Sequence, residues 1–162
     1  MAKPKVYIET SIASFYHEIR PEPEMVACRK WTRQWWDKSR EEYHVVTSDA
    51  VLDELSREDH PNRNQTLSLM QNVELLPIEE ETGKIVEAYI EHQLMPRNPV
   101  GDALHLALAS QHKCDFLLTW NCKHLANANK FSHIEWVNTT LGLFVPTLVT
   151  PLGLIGGFGD EK

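Results

Sequence analysis

The sequence has little cysteine, no long apolar run and less positive than negative charge. The three cysteines Cys28, Cys114 and Cys122 are odd in number and form no CxxC pair. Reduced thiols are therefore expected, rather than a disulfide framework or a structural zinc site. No apolar run reaches transmembrane length, and the start MAKPKVYIET lacks the apolar region of a signal peptide. A cytoplasmic protein without a membrane partner is expected.

Positive charge is scarce, because 16 Lys and Arg residues stand against 23 Asp and Glu residues, for a net charge of −7. This balance excludes a general basic coat for nucleic acid but leaves room for a local basic patch. The 162 residues are 42% hydrophobic and 24% charged, which is ordinary for a globular protein with one real core.

Strand-like and helix-like segments alternate along the chain. Strands are predicted at 6–8, 43–47, 73–78 and 116–119, and an alternating pattern at 134–137 favours an edge strand. Helices are predicted at 24–40, 48–57, 79–93 and 100–111. This order is typical of an α/β fold with a mostly parallel sheet. Without an internal repeat or linker, one domain over 1–150 is expected, followed by a glycine-rich tail over 151–162 that is mobile at its end.

The stretch 99–125 organises the rest of the chain. The helix predicted at 100–111 has almost no polar face, so it is expected to be buried. Asp102 lies in its first turn, where a carboxylate is either a simple helix-dipole acid or the ligand of a cation. The run Phe116–Leu118 suits a central parallel strand that ends at Thr119 and Asn121.

Three acids are expected to meet at one edge of the sheet. Glu9 follows the first strand, Glu54 lies on the helix after the second strand, and Asp102 begins the buried helix. Asn121 adds an amide at the same edge, where ligands of parallel sheets gather. Clustered carboxylates repel one another unless a cation intervenes, and oxygen ligands favour Mg²⁺ or Mn²⁺.

Four motifs in this order resemble the PIN domain, the nuclease fold of the VapC-type toxins. They are VYIETS at 6–11, VVTS followed by VLDEL over 45–55, GDALHLA at 101–107 and DFLLTWN at 115–121. The resemblance implies a three-layer α/β/α sandwich with a mostly parallel central sheet. It also implies Mg²⁺- or Mn²⁺-dependent endoribonuclease activity on an RNA substrate, and an antitoxin protein as a partner in a VapBC-type pair.

By the same resemblance, Glu9, Glu54 and Asp102 are the expected metal ligands and, with Asn121, the catalytic residues. Two of these positions depart from the family pattern. Glu9 stands where an Asp is usual, and Asn121 stands where many relatives carry a further Asp. Weak activity, dependence on Mn²⁺ and loss of activity are all open. The alternatives are a catalytically degenerate PIN fold that binds RNA or protein, and a metal-dependent phosphatase with a small substrate.

Five further residues are candidates for contacts with substrate or with the metal ligands. Thr10 and Ser11 follow Glu9 and are also expected to cap the next helix. Thr119 has a hydroxyl that could orient Asn121 or a water. His105 and His124 could steer a phosphate or a water, or be structural histidines.

One predicted helix contains three tryptophans, which are Trp31, Trp35 and Trp36. Because Trp36 follows Trp35 by about 100° around the axis, at least one indole is expected to face away from the core. The segment 141–155 is a second apolar candidate surface. A homodimer, or a complex with an antitoxin-like peptide, is expected to use one of these surfaces.

Overall fold

The computed structural model describes residues 2–57, 59–60 and 62–156. The strands are β1 (Lys5–Ile8), β2 (His44–Ser48), β3 (Glu74–Leu76), β4 (Phe116–Leu118) and β5 (Thr147–Val149). The helices are α1 (Thr10–Tyr16), α2 (Pro23–Gln34), α3 (Asp49–Leu55), α4 (Arg63–Leu69), α5 (Glu80–Glu91), α6 (Gly101–Gln111) and α7 (Ala128–Thr140). A π-helical turn (Trp35–Ser39) and a 3₁₀ turn (Arg40–Glu42) follow α2, and a 3₁₀ turn (Pro151–Leu154) follows β5.

The five strands form one sheet in the order β3-β2-β1-β4-β5, and every neighbouring pair is parallel. The expected α/β fold with a mostly parallel central sheet, flanked by helices, is confirmed. The chain fills one half of the sheet with β1, β2 and β3 and then returns to the other side of β1 with β4. The strand order therefore reverses between β1 and β4, and such a switch point opens a crevice at the carboxyl ends of the strands.

Helix α6 is buried, as its all-apolar pattern predicts. Seven of its eleven residues are buried, and it packs against α5 and α3. This burial fixes the first turn of α6, which carries Asp102, relative to the sheet. No helix in the described ranges is both long enough and apolar enough to cross a membrane.

The edge strand predicted at 134–137 is wrong, because these residues lie inside α7. Ile134 and Val137 are buried, whereas Glu135 and Trp136 are exposed. A separation of three residues places two side chains on the same face of a helix. In the sequence, the apolar residues Ile134 and Trp136 are two residues apart, as on one face of a strand, but Trp136 is 57% exposed. The edge strand beside β4 is β5 instead, within the apolar segment 141–155.

Trp35 and Trp36 are both buried, although they are consecutive residues of the helical segment. Trp35 is fully buried and Trp36 is only 5% exposed, whereas Trp31 is half-buried and stacks on Trp120 at 6.2 Å between ring centroids. Trp35 and Trp36 begin the π-helical turn, where the wider winding departs from the 100° step of an α-helix.

Pro151 and Leu154 are buried, and both lie beyond the end of the domain predicted from sequence. Residues 157–162, which include the predicted mobile end of the tail, lie outside the described residues.

Candidate metal and nuclease site

The crevice between β1 and β4 carries the first polar cluster. Glu9 directly follows β1 and Thr119 directly follows β4, and the two strands are neighbours in the sheet. Thr119 Oγ1 donates a hydrogen bond to Glu9 Oε1 at 2.6 Å. The two switch-point strands are therefore joined by a side-chain contact at the place where ligands bind in open parallel sheets.

Glu9 is the N-cap of α1, so the expectation that Thr10 and Ser11 cap this helix is wrong. Its Oε1 accepts the backbone N–H of Ser11 at 3.1 Å, together with the Ser11 hydroxyl and the Thr119 hydroxyl. The longer Glu side chain reaches back to these donors and is 6% exposed. Oε2 accepts no hydrogen bond from the residues that the structure describes, so one oxygen of this carboxylate is available to a ligand.

Asn121 connects the end of β4 to the start of α6. Its backbone N–H donates to Thr119 Oγ1 at 2.9 Å, and its Nδ2 donates to Asp102 Oδ1 at 2.9 Å. Its side-chain oxygen accepts the backbone N–H groups of Lys123 and His124. Since only the amide oxygen can accept these two bonds, the nitrogen must face Asp102. Asn121 therefore positions Asp102 and has no spare oxygen directed at a metal.

Glu54 is held by two donors on different helices. Its Oε1 accepts Thr10 Oγ1 at 3.1 Å and His105 Nε2–H at 2.6 Å. Burial alone would raise the pKa of Glu54, but the hydrogen bond and charge of His105, with Thr10, outweigh it and lower the pKa. Glu54 Oε2 lies 3.5 Å from the position that a Cβ would take on Gly101. The Glu54 carboxylate thus lies beside the first turn of α6, which carries Asp102.

His105 is a buried positioning residue. It is 1% exposed, and its Nδ1 lies 2.8 Å from the Tyr7 hydroxyl, which contacts Ser48 Oγ at 2.7 Å. Burial would lower the pKa of His105, but the hydrogen bond to Glu54 and the charges of Glu9, Glu54 and Asp102 raise it. The ring is inaccessible to a phosphate and instead ties Glu54 to the sheet. Burial raises the pKa of Tyr7, so its hydroxyl stays protonated.

A cleft of about 430 Å³ opens beside Glu9 and Glu54. Arg57 and Asp59 line it and are exposed, and His60 lies at the same wall. Arg57 supplies a local positive charge on an otherwise acidic cleft, which is the basic feature that a phosphate-bearing substrate needs.

The chemistry of the carboxylates fits a divalent metal ion. Each uses one oxygen for hydrogen bonds within the described chain, and leaves Glu9 Oε2, Glu54 Oε2 and Asp102 Oδ2 without such a bond. Oxygen-only donors are those that Mg²⁺ and Mn²⁺ prefer. Across residues 2–57, 59–60 and 62–156, however, no group of three or more His, Cys, Asp or Glu side chains is already arranged as a metal site.

Most of the candidates from sequence belong to two separate hydrogen-bonded networks. One connects Glu9, Ser11, Thr119, Asn121 and Asp102. The other connects Thr10, Glu54 and His105. His124 joins only through its backbone N–H. Sequence reasoning missed Tyr7, whose strand resembles a plain apolar run, and Arg57 and His60, which no short-range pattern connects to the acids.

A PIN domain family model matches residues 6–127, which is most of the chain. The chain therefore belongs to the PIN domain family, whose members are generally nucleases that use divalent metals. The comparisons with curated proteins and with solved structures gave no match.

Proposed function

We infer that this protein is a Mg²⁺- or Mn²⁺-dependent endoribonuclease. One observation carries the proposal: Glu9, Glu54 and Asp102 each have one oxygen fixed by protein donors and a second oxygen without an intramolecular partner. Fixing one oxygen sets the orientation of the carboxylate, while the other remains available for an ion. This pattern is expected of ligand positions rather than of solvated surface acids.

Glu9, Glu54 and Asp102 would hold the metal ion. When bound, the ion supplies positive charge that favours attack of water on a phosphodiester and stabilises charge developing on the phosphate. The surrounding residues position the ligands: Thr119 and Ser11 hold Glu9, Thr10 and His105 hold Glu54, and Asn121 holds Asp102. Arg57, at the wall of the cleft, is placed to attract a phosphate of the substrate strand.

Slow cleavage is expected. Because Asn121 is neutral, three carboxylates remain where four would bind ions more tightly, and a paired-metal arrangement needs bridging oxygens between ions about 4 Å apart. A role as the toxin of a VapBC-type pair, with an antitoxin partner, a homodimeric state and a cytoplasmic location, belongs to the same proposal.

A catalytically degenerate PIN fold that binds RNA or a protein is the second candidate. It is favoured by the absence, in the described ranges, of three acidic or metal-binding side chains already arranged around one point. An enzyme would draw its carboxylates together when the ion binds, whereas a degenerate site would not bind it.

Cleavage of end-labelled single-stranded RNA with Mn²⁺, Mg²⁺ or EDTA tests the proposal. Metal-dependent cleavage is expected from the wild type and from Asp53→Asn, and none from Glu9→Gln or Asp102→Asn. Asp53 is a matched control because it is an exposed acid on the same helix as Glu54. RNA binding without cleavage, and without metal binding, would establish the degenerate fold instead.

Thermal unfolding gives a readout that does not depend on activity. A ligand that binds only the native state raises the melting temperature. Mn²⁺ should raise it in the wild type and in Asp53→Asn, but should have little effect on Asp102→Asn. An equal rise in all three proteins would remove the metal assignment.

A further inference from the structure

A second pocket, distinct from the carboxylate cleft, lies on the far side of Ser14 and His60. It has a volume of about 360 Å³ and is lined in part by His17, Ile19 and Asn62. Ser14 and His60 line both this pocket and the carboxylate cleft. The two spaces are therefore adjacent, with the hydrogen-bonded pair Ser14 and His60 between them.

The side chains that line the pocket differ from those that line the cleft. Glu18 and Arg20 form an ion pair with each other, so these two charges largely compensate locally. Ile19 is 76% exposed, which makes it a large apolar surface beside neutral polar groups. Paired charges do not favour a phosphate, whereas an apolar surface beside neutral hydrogen-bonding groups suits a flat heterocyclic ring.

His17 and His60 both line this pocket. The Nδ1 atom of His60 is buried and has no hydrogen-bond partner in the part of the chain that is described, whereas the ring of His17 interacts with the backbone of Ala13. The rest of the His60 ring is fixed, because its Nε2 lies 2.8 Å from Ser14 Oγ. Burial lowers the pKa of His17, which favours its neutral ring. The Nδ1 atom of His60 is enclosed by the protein, so other atoms of this ring line the pocket.

Asn62 adds a further polar group to the lining of the pocket. Its Nδ2 donates to the backbone oxygen of His17 at 2.9 Å, while its side-chain oxygen has no protein donor among the described residues. Its backbone is left-handed, with φ of 56°, a conformation that Asn tolerates better than most residues. The residue is therefore held in place at the wall of the pocket.

We propose that this pocket binds one unstacked nucleobase of the RNA strand whose phosphate lies in the carboxylate cleft, with Ile19, His17 and His60 as its contacts. The inference rests on the proposed ribonuclease function and specifies its substrate as single-stranded at this position. A base inside a helix is stacked and paired, so only a single strand, loop or bulge can place a base here. The pocket also gives the enzyme a means of choosing its cleavage site.

Binding of short oligonucleotides to Asp102→Asn, which is not expected to cleave them, tests the proposal. A single abasic residue is moved stepwise along a fluorescent heptaribonucleotide, and binding is followed by anisotropy. One abasic position should weaken binding by about fivefold or more, the scale of a single base contact. When His17→Gln and Ile19→Ser are added to Asp102→Asn, an abasic residue at that position should no longer weaken binding.

Ile78→Ser is the matched control, because Ile78 is also exposed and lines neither the cleft nor the pocket. It should leave the abasic pattern unchanged. Ile19 is exposed, so its replacement should preserve folding, which the melting temperature verifies. Equal binding at all abasic positions, or a pattern that survives the pocket substitutions, would overturn the inference even if the wild type cleaves RNA.

Ligand-observed NMR with the four free nucleosides separates this inference from the proposed function. At least one nucleoside should bind the wild type and bind more weakly to the His17→Gln, Ile19→Ser variant. Absence of RNA cleavage together with nucleoside binding would refute the ribonuclease and retain a base pocket. RNA cleavage without binding of any nucleoside would retain the ribonuclease and refute the base pocket. A peptide side chain as the true occupant would also give no nucleoside binding and would overturn the inference.

Discussion

The side-chain amide of Asn121 donates to Asp102 across 2.9 Å, and this contact fixes the orientation of the third carboxylate. An aspartate at position 121 could not donate this bond and would place a second negative charge beside Asp102. Asn121→Asp should therefore lower the free energy of unfolding without metal, by about 1–3 kcal/mol, because a hydrogen bond is lost and two carboxylates repel.

Mn²⁺ should reverse this loss, because a cation between two carboxylates removes their repulsion. We expect the rise in melting temperature with Mn²⁺ to be larger in Asn121→Asp than in the wild type, together with faster RNA cleavage. Asn129→Asp, an exposed change of the same type, is the control. Equal Mn²⁺ affinity of wild type and Asn121→Asp by calorimetric titration would place residue 121 outside the reach of the metal.

His105 should matter for the metal through Glu54. His105→Phe removes the donor at 2.6 Å from Glu54 Oε1 and should cost about 1–3 kcal/mol of stability, since buried polar partners are left unsatisfied. It should also reduce the rise in melting temperature with Mn²⁺, because Glu54 loses its fixed orientation.

The variant Tyr7→Phe separates the loss of stability from the loss of the response to Mn²⁺. It removes the hydroxyl that contacts His105 and Ser48 but keeps the bond between His105 and Glu54. This variant should lose stability yet respond to Mn²⁺ as the wild type does. If both variants lose the Mn²⁺ response equally, the effect of His105 is general destabilisation rather than positioning of Glu54.

The position of the candidate site could be predicted from sequence because it depends on local features. Glu9 directly follows β1, Asp102 lies in the first turn of α6, and Glu54 lies on the short helix that follows β2. Parallel strands place their carboxyl ends at one edge of the sheet. The roles of individual side chains could not be predicted. The contact between Glu54 and His105 joins residues far apart in sequence, and the amide of Asn121 faces Asp102 only because two backbone groups occupy its oxygen.

Two features of the fold could not be predicted correctly from the sequence, for similar reasons. The residues 134–137 are too few to separate a period of two from one of 3.6, so a helix resembled a strand. The burial of both Trp35 and Trp36 depends on a π-helical turn, and no propensity scale applied to the sequence indicates such a turn.

The three cysteines should react with a thiol reagent in the order of their exposure. Burial raises the pKa of Cys114 to about 12, so at pH 8 only about one in 10⁴ of its thiols is ionised. Cys122 is exposed, and Cys28 is half-buried with a pKa that burial also raises. Iodoacetamide followed by peptide mass spectrometry should modify Cys122 first, then Cys28, and Cys114 only after unfolding. Early labelling of Cys114 would contradict its burial in the core.

Trp36 lies inside the subunit, so it tests stability rather than assembly. It is 5% exposed and packs against Tyr16 and under the Arg40 guanidinium, 4.7 Å from the ring centroid. Trp36→Glu should lower the free energy of unfolding by about 3–5 kcal/mol, the scale of removing a large buried aromatic, without a specific effect on association. Chemical denaturation measures this loss.

Since Trp36 is buried, we expect the proposed dimer to use the other apolar surface, where Phe144 and Leu152 are exposed. Exposed apolar side chains that together form a patch are typical of subunit contacts. Light scattering across a concentration range should show a dimer in the wild type, and Leu152→Glu or Phe144→Glu should shift it towards monomer with little change in monomer stability. Ile78→Glu, an equally exposed apolar residue elsewhere, should leave the dimer intact. A wild type that stays monomeric at high micromolar concentration would remove the dimer, and a dimer that resists both substitutions would place the interface on another surface.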